Sequence, residues 1–263
     1  MLDYRRKLPY FQDFSMDLRE LKGLSRIRHP WETSRVEALR SILKQSLDKD
    51  AKALDIGCGD GFVCMKLFKG TAVKRITAVD INLTKELIDE LSKRGGGITY
   101  SDKLPKEKNC YGLILLLDVV EHVKDDGALL KEIGDYLEQG GRVLITAPAF
   151  NFLFSSHDRY LRHVRRYSLK ELRSLVESSG LRCVSSGYLF ASLLLPRLLS
   201  ASLERLFKIK DGPQKGVGNW RFGRGITKAI ELMLRADNKI SLIANGFGLK
   251  LPGLTGWVLC ERR

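Results

Sequence analysis

Lys52-Ala53-Leu54-Asp55-Ile56-Gly57-Cys58-Gly59-Asp60-Gly61 decides how this chain is read. Lys52 to Ile56 has the composition of a short buried strand. The next five residues carry three glycines, and Phe62 to Phe68 starts a helix. Glycines at alternate positions let the backbone enter the φ > 0 region and approach a ligand with no Cβ in the way. The helix that follows points its free N–H groups at whatever occupies the turn. Strand, turn and helix together predict a site for a nucleotide-type ligand.

Working outward, Arg75 to Asp80 reads as a second strand with a carboxylate at its end, 19 residues beyond Gly61. A ribose-binding acid belongs at about that distance in dinucleotide-type folds. The turn spells GxGxG, however, and not GxGxxG, because residue 62 is Phe. Residues 83–94 follow as a helix, 97–100 as a third strand, Leu113 to Leu117 as a fourth ending at Asp118, and 127–137 as a helix. Gly140-Gly141 leads into a fifth strand over 142–147. Ser168 with Glu171 forms a capping box for a helix over 169–179, a sixth strand covers 182–186, and a last one 256–260. Before the glycine turn, Val36, Leu39, Leu43 and Leu47 recur at helical spacing. Alternating strands and helices predict βαβ units and a parallel sheet.

Composition narrows the classes. The 263 residues are 44% hydrophobic and 29% charged, with no window of about 18 uninterrupted apolar residues, so no transmembrane helix is expected. The first residues lack the apolar stretch of a secretory signal. Five scattered cysteines, an odd number without CxxC spacing, point to a reducing cytoplasm and to no metal. Residues 151–263 hold 20 Lys/Arg against 8 Asp/Glu, a net of +12 out of the chain's +14. That asymmetry fits an anionic partner, or a merely solvated surface.

Leu54-Asp55-Ile56-Gly57-Cys58-Gly59-Asp60-Gly61 resembles the first motif of class I S-adenosylmethionine-dependent methyltransferases. Asp118-Val119-Val120-Glu121-His122-Val123 resembles their motif after strand four, and Gly140-Gly141-Arg142-Val143-Leu144-Ile145 their fifth strand. The resemblance covers about residues 29–187 and the last strand. It implies a Rossmann-like α/β sheet of seven strands, order 3-2-1-4-5-7-6 with strand 7 antiparallel, with S-adenosylmethionine as cofactor. It further implies that Asp55, Gly57, Cys58, Gly59 and Gly61 border the methionine end of the cofactor. By the same resemblance Asp80 holds the ribose, Ile81 packs on adenine, Asp102 is the adenine-side acid and Asp118 lies near the cofactor. His29-Pro30-Trp31-Glu32-Thr33-Ser34-Arg35 is similar to a His-Trp-Trp-Phe-x-x-Arg helix start in bacterial and archaeal members. The segment from Pro148-Ala149 through His157-Asp158 to His163-Val164-Arg165-Arg166-Tyr167-Ser168 is similar to their Pro-Ala, His-Asp, His-x-Arg-Arg-Tyr-Ser pattern. Trp31 and Arg35 then either reach the cofactor or pack the helix.

Methyl transfer is an in-line displacement in which orientation contributes about 7–11 kcal/mol. A base is needed only where the acceptor sheds a proton, as a hydroxyl does. His122, His157 and His163 all fall after strand four or five, on the rim where such sites form, and any of the three serves as base or as a structural clasp. Residues 1–47 read as an extension and helix, 48–187 as the cofactor-binding core, 188–252 as a helical insertion and 253–263 as the final core strand. The insertion holds an apolar run, Tyr188 to Leu199, then Arg205, Lys208 and Lys210, and a basic glycine-containing loop. Lid, dimer interface and docking onto an anionic membrane surface all fit that pattern. The expected acceptor is a small molecule, a glycan or a lipid-linked compound. Nucleic acid is the alternative partner, disfavoured because Asp118-Val119-Val120-Glu121 stands where base-amine methylators carry Asn-Pro-Pro-Tyr. A monomer or homodimer in the cytoplasm, with possible membrane association, completes the expectation.

Overall fold

A computed structural model describes residues 28–47, 50–207, 220 and 222–262. The expected extension over 1–27, and the basic stretch from Lys208 through Lys215 to Gly218, lie outside the described residues, as does Arg221. Seven strands form one sheet: β1 (Lys52–Ile56), β2 (Arg75–Val79), β3 (Ile98–Ser101), β4 (Tyr111–Leu117), β5 (Leu137–Pro148), β6 (Leu181–Leu189) and β7 (Thr255–Arg262). Their order is β3-β2-β1-β4-β5-β7-β6, as the resemblance implies. The pairs from β3 to β5 are parallel, and β7 runs antiparallel between β5 and β6. Central β1 and β4 are apolar nearly throughout because helices cover both of their faces.

The helices are α1 (Pro30–Leu47), α2 (Phe62–Phe68), α3 (Lys85–Lys93), α4 (Asp126–Tyr136), α5 (Ser156–Tyr160), α6 (Leu169–Ser178), α7 (Leu194–Leu206) and α8 (Arg224–Gly246). The α1 stripe Val36, Leu39, Leu43 and Leu47 is buried in one core layer with Leu67, Leu113 and Leu115. Leu129 and Ile133 of α4 and Leu172 and Val176 of α6 fill the other, against Ile114, Leu116 and Val143. The sheet's C-terminal rim lies between these layers, so loops leaving β1, β2, β4 and β5 gather there.

Two boundaries differ from the sequence reading for local reasons. β5 starts at Leu137, so Gly140-Gly141 lies within the strand. Gly140 sits at φ 72°, and a Cβ on Gly141 would come within 2.7 Å of the Tyr111 carbonyl oxygen, at a register shift between Tyr111 and Leu113. β6 continues through Tyr188 and Leu189, and the apolar run then passes through a 3-10 turn, Ala191–Leu193, into α7.

α7 and α8 occupy the connection between β6 and β7, and both are turned inside out. In α7, Arg197, Ala201 and Glu204 face the protein, whereas Leu195, Leu199, Leu203 and Leu206 are more than half exposed. In α8 the buried residues are Thr227, Leu234, Asn238 and Ser241, and Ile226, Met233, Ile240 and Phe247 face outward. Polar contacts attach α7, and α8 is held both by polar contacts and by Leu234, which joins the core with Ile230 and Leu242 packed against it. Arg197 reaches Ser155 Oγ and Asp158 Oδ2, Glu204 accepts from the Ser156 N–H at 2.7 Å, and Arg205 donates to the carbonyls of Phe152 and Phe154. Asn238 Oδ1 accepts the Phe190 N–H at 2.9 Å, and Asp237 accepts the N–H and hydroxyl of Ser192. No helix among the described residues is long and apolar enough to cross a membrane.

This orientation sets opposite expectations for neighbouring positions in urea melts. Leu199→Gln and Leu203→Gln are each expected to change stability by less than about 0.5 kcal/mol. Ala201→Leu, at a buried position, is expected to cost about 1–3 kcal/mol by overpacking. Large losses at 199 and 203 with none at 201 would place the apolar stripe inside.

Candidate active site

The glycine turn is held by β2. The N–H groups of Gly57 and Cys58 both donate to the Val79 carbonyl, at 2.8 and 3.1 Å, and the Gly61 N–H closes the turn on the Cys58 carbonyl. Gly57, Gly59 and Gly61 have φ of 78°, 54° and 72°. A Cβ on Gly57 would meet Val119 Cγ2 at 2.6 Å and one on Gly61 would meet the Tyr100 hydroxyl at 2.5 Å, so sterics as well as φ demand glycine. Asp80, nearly buried at the end of β2, accepts from the Gly59 N–H and from the N–H and side-chain amide of Asn82, each at 3.0 Å. Burial pushes its carboxyl up, and these three bonds work against that rise.

Asp55 ends β1 wholly enclosed. Burial raises its pKa to about 7, and its Oδ1 has no hydrogen-bond partner. Cys58 is buried with its thiol pushed well up by burial, first, and by the carboxylates around it, which makes it unreactive. Ile81 is half-buried just past β2, and Asp102 is exposed just past β3.

Asp118 follows β4 at φ 55°, a strained position that Asp tolerates better than most residues. Its N–H bonds the Thr146 carbonyl at 3.0 Å, its Oδ1 accepts the Thr146 hydroxyl at 2.9 Å, and its Oδ2 pairs with Arg35 at 2.8 Å. Arg35 is itself buried, bonds Thr146 Oγ1 at 2.8 Å and lies over the Trp31 ring at 4.8 Å. Trp31 in turn packs on Phe190 at the foot of the insertion. The two residues thus join α1 to the ends of β4 and β5 and to the start of the insertion.

Two sequence motifs distant in the chain lock together beside Asp118. The turn Val120–His122 receives the 163–167 segment. The Val164 N–H donates to the Glu121 carbonyl at 2.8 Å, Arg165 reaches Asp126 and the Lys124 carbonyl, and the Tyr167 hydroxyl donates to Asp126 at 2.7 Å. The rings of His122 and His163 meet edge to face at 4.8 Å. Glu121 is fully buried, and its carboxylate lies within 4.8 Å of ligating nitrogens of both histidines. His163 Nδ1 bonds Asp158 Oδ1 at 2.8 Å, and Arg166 Nε bonds the same oxygen at 2.7 Å. Despite burial, those cationic and hydrogen-bonding partners hold the Asp158 carboxyl well below the usual range. His157 lies against this cluster, lowered to about 4 by burial first and the Arg197 charge next. His122 is lowered to about 4 by burial and then by His163. Both are neutral imidazoles at pH 7.

Comparison with known proteins settles the family. A sequence profile described as a methyltransferase domain matches residues 30–186, more than half of the chain. The chain belongs to this family of class I S-adenosylmethionine-dependent methyltransferases. Among curated relatives, a ubiquinone biosynthesis O-methyltransferase of Parvibaculum lavamentivorans is 28% identical over 137 residues, 47% of this chain and 54% of that protein. A protein of the same description from Coxiella burnetii is 26% identical over 156 residues, 56% of this chain and 64% of its own. The chain therefore spans less than two thirds of the length of these relatives. In fold it is similar to a putative sarcosine dimethylglycine methyltransferase from Galdieria sulphuraria, with TM-score 0.55, 19% identity and coverage of 88% and 86% of the two chains. It is also similar to phosphoethanolamine N-methyltransferase 2 of Haemonchus contortus, solved with S-adenosyl-L-methionine, with TM-score 0.57, 17% identity and coverage of 100% and 60%.

S-adenosylmethionine is the cofactor of this methyltransferase, and the residues present fit it. The positive-φ glycines leave backbone without a Cβ in a turn before a helix, Asp80 carries a fixed carboxylate, and the buried Asp55 Oδ1 has no protein donor. When bound, the cofactor supplies a methyl group activated on a sulfonium. Sequence reasoning missed Thr146, Tyr100 and Arg197, whereas Glu121 and Asp158 stood in quoted motifs without an assigned partner. Asp158 carried a further signal, since Ser155-x-x-Asp158 is a capping box and the structure forms it.

Asp55 gives the cofactor-free methyltransferase a pH-dependent stability. The folded carboxyl keeps its proton to about pH 7, while the unfolded one loses it near pH 4. The folded state thus binds the extra proton between those values, and stability falls as pH rises through that window. The loss is at most about 4 kcal/mol. Asp55→Asn is expected to flatten this slope between pH 5 and 8 in urea melts at about those values. An unchanged slope would mean that another group carries it.

Proposed function

We propose that this methyltransferase transfers the methyl group to an oxygen atom of a small or lipid-linked acceptor. The observation that carries the reading is the enclosed cluster of Glu121, His122 and His163 beside Asp118, braced by Asp158. An amine attacks through a lone pair that it already has, whereas a hydroxyl must shed its proton, and a buried carboxylate-imidazole cluster serves the second chemistry. The curated relatives named above are O-methyltransferases, which supports the same choice.

On the donor side, Asp80 accepts the ribose hydroxyls, Ile81 and Asp102 flank the adenine, and Asp55, Gly57, Cys58, Gly59 and Gly61 border the methionine portion. Arg35 and Asp118 neutralise each other across that end. A cofactor carboxylate competes with Asp118 for the guanidinium. Loss of two charge-assisted hydrogen bonds in Asp80→Ala is expected to weaken S-adenosylmethionine binding about 10- to 100-fold by calorimetry. Unchanged affinity would sink the assignment.

The outward leucines of α7 favour an acceptor presented at a lipid surface, with α7 lying in the interface. The basic C-terminal part supports nucleic acid less well, because its arginines are engaged. Arg165 pairs with Asp126, Arg166 and Arg197 with Asp158, Arg182 with Glu261, and Arg235 with Glu37 and Glu231.

The test offers matched phenol and aniline acceptors, free and carrying a prenyl chain, with isotopically labelled donor, and reads the products by mass spectrometry. The expected product is the methyl ether, with the prenylated phenol used best on anionic vesicles. His163→Ala is expected to lower its kcat about 10²- to 10⁴-fold while leaving donor affinity within about twofold. Methylation of the aniline alone would refute the oxygen reading. Equal turnover by Leu199→Asp/Leu203→Asp with vesicles would refute the lipid-surface reading.

A further inference from the structure

We infer that Glu121, His122 and His163 form a binding site for one divalent cation of the zinc, cobalt or manganese class, facing the acceptor oxygen. The inference rests on the hydroxyl reading above and specifies how that hydroxyl is activated. It departs from the expectation of no metal, which considered only cysteine spacing. These ligands come from two motifs about forty residues apart, and only the fold brings them together.

Three features carry it. The first is the donor set: one carboxylate and two imidazoles, each offering a ligand atom, all within 4.8 Å of one another. Two nitrogens and one oxygen are the donors of an open catalytic site, three protein ligands with a further position left for water or substrate. An ion about 2.1 Å from each ligand would draw the widest of these separations in by about 1 Å. Adjustment of the Glu121 side chain and of the His122 ring would close that gap while His163 keeps its bond to Asp158.

The second is the support behind the ligands. His163 Nδ1 is held by Asp158 at 2.8 Å, and His122 hydrogen-bonds the backbone of Arg162. A carboxylate or carbonyl behind one ring nitrogen fixes the tautomer and presents the other nitrogen's lone pair, the arrangement that metal-bound histidines use. Asp158 is itself completely buried and tied to Arg166, so the brace is rigid.

The third is that the scaffold is already assembled. The Val164 N–H bonds the Glu121 carbonyl, so the backbones that carry His163 and Glu121 are clamped within one residue of the ligands. Asp118 lies close enough to act on His122 through its charge, which puts the cluster at the donor-facing end of β4.

In the reaction, coordination of the acceptor hydroxyl makes its O–H bond easier to break, and the proton leaves to water. The oxygen's electron pair then forms the O–C bond as the C–S bond breaks, and S-adenosylhomocysteine departs as a neutral thioether. The cation changes no oxidation state.

The test uses untagged full-length chain stripped with chelator, in a Cys110→Ser background that removes a partly exposed thiol. Zn²⁺ is titrated by calorimetry and Co²⁺ by visible absorption, with neither donor nor acceptor present. One ion per chain is expected. Glu121→Gln and His163→Ala should each weaken binding at least 10-fold, and Asp158→Asn about 10- to 100-fold as a positioning residue. His157→Ala should leave affinity unchanged. His163→Cys guards against variants that merely misfold, because it should retain the ion and add a sulfur-to-cobalt charge-transfer band. A wild type that binds no ion, or affinity indifferent to both His163 variants, overturns the site. Because these readouts need no turnover, failure of the hydroxyl reading would leave them intact, and failure of the metal site would leave the identity of the methylated product unchanged.

Discussion

One carboxylate with no access to water organises the chain after β5. Asp158 faces an imidazole, two guanidinium groups and the first turn of its own short helix. Removing an ion from water costs several kcal/mol, and the cost is offset only when the remaining valences are filled with good geometry. Here His163 and Arg166 belong to the segment after β5 and Arg197 to the insertion. The charge that must be compensated therefore fixes α5, the 163–167 segment and the insertion relative to one another. The insertion is held to the core by the same ion that braces His163.

The donor half was legible in the sequence for a physical reason. Glycines with positive φ, a strand before them and Asp80 at the next strand end are constraints local to a few residues, and each leaves a mark in residue type. The strand order followed from the same motifs, and the sheet has it. The acceptor half was not legible in that way. His122 and His163 were both visible as candidates, but nothing in their spacing showed that their rings would meet while His157 would lie beside Asp158 and Arg197. Glu121 looked like the acid of a familiar motif rather than a fully buried group. Thr146, which joins Arg35 to Asp118, is an ordinary strand residue until the parallel neighbour places a carboxylate beside its hydroxyl. Contacts between distant segments carry no local signature.

The insertion shows the limit of periodicity most clearly. Its leucines recur at helical spacing, which correctly announces a helix yet leaves its orientation open. The usual rule would bury that stripe. In α7 the fixed points are polar instead, Arg197 and Glu204 gripping the 155–159 segment, and the leucines are left outside. The pattern identified the element, and ion pairing decided which way it faces.

The antiparallel seventh strand has a consequence beyond topology. β6 ends and β7 begins side by side, with Leu189 paired to Thr255 and the Leu254 N–H bonded to the Phe190 carbonyl. α7 and α8 both lie between those two strand ends, so to the sheet their connection is a single hairpin loop. The entropy of such a loop grows only logarithmically, by about 0.6 kcal/mol for each doubling of its length. The connection can thus be lengthened, shortened or exchanged at small thermodynamic expense while the sheet stays in register. The insertion is in this sense a replaceable attachment on a fixed sheet.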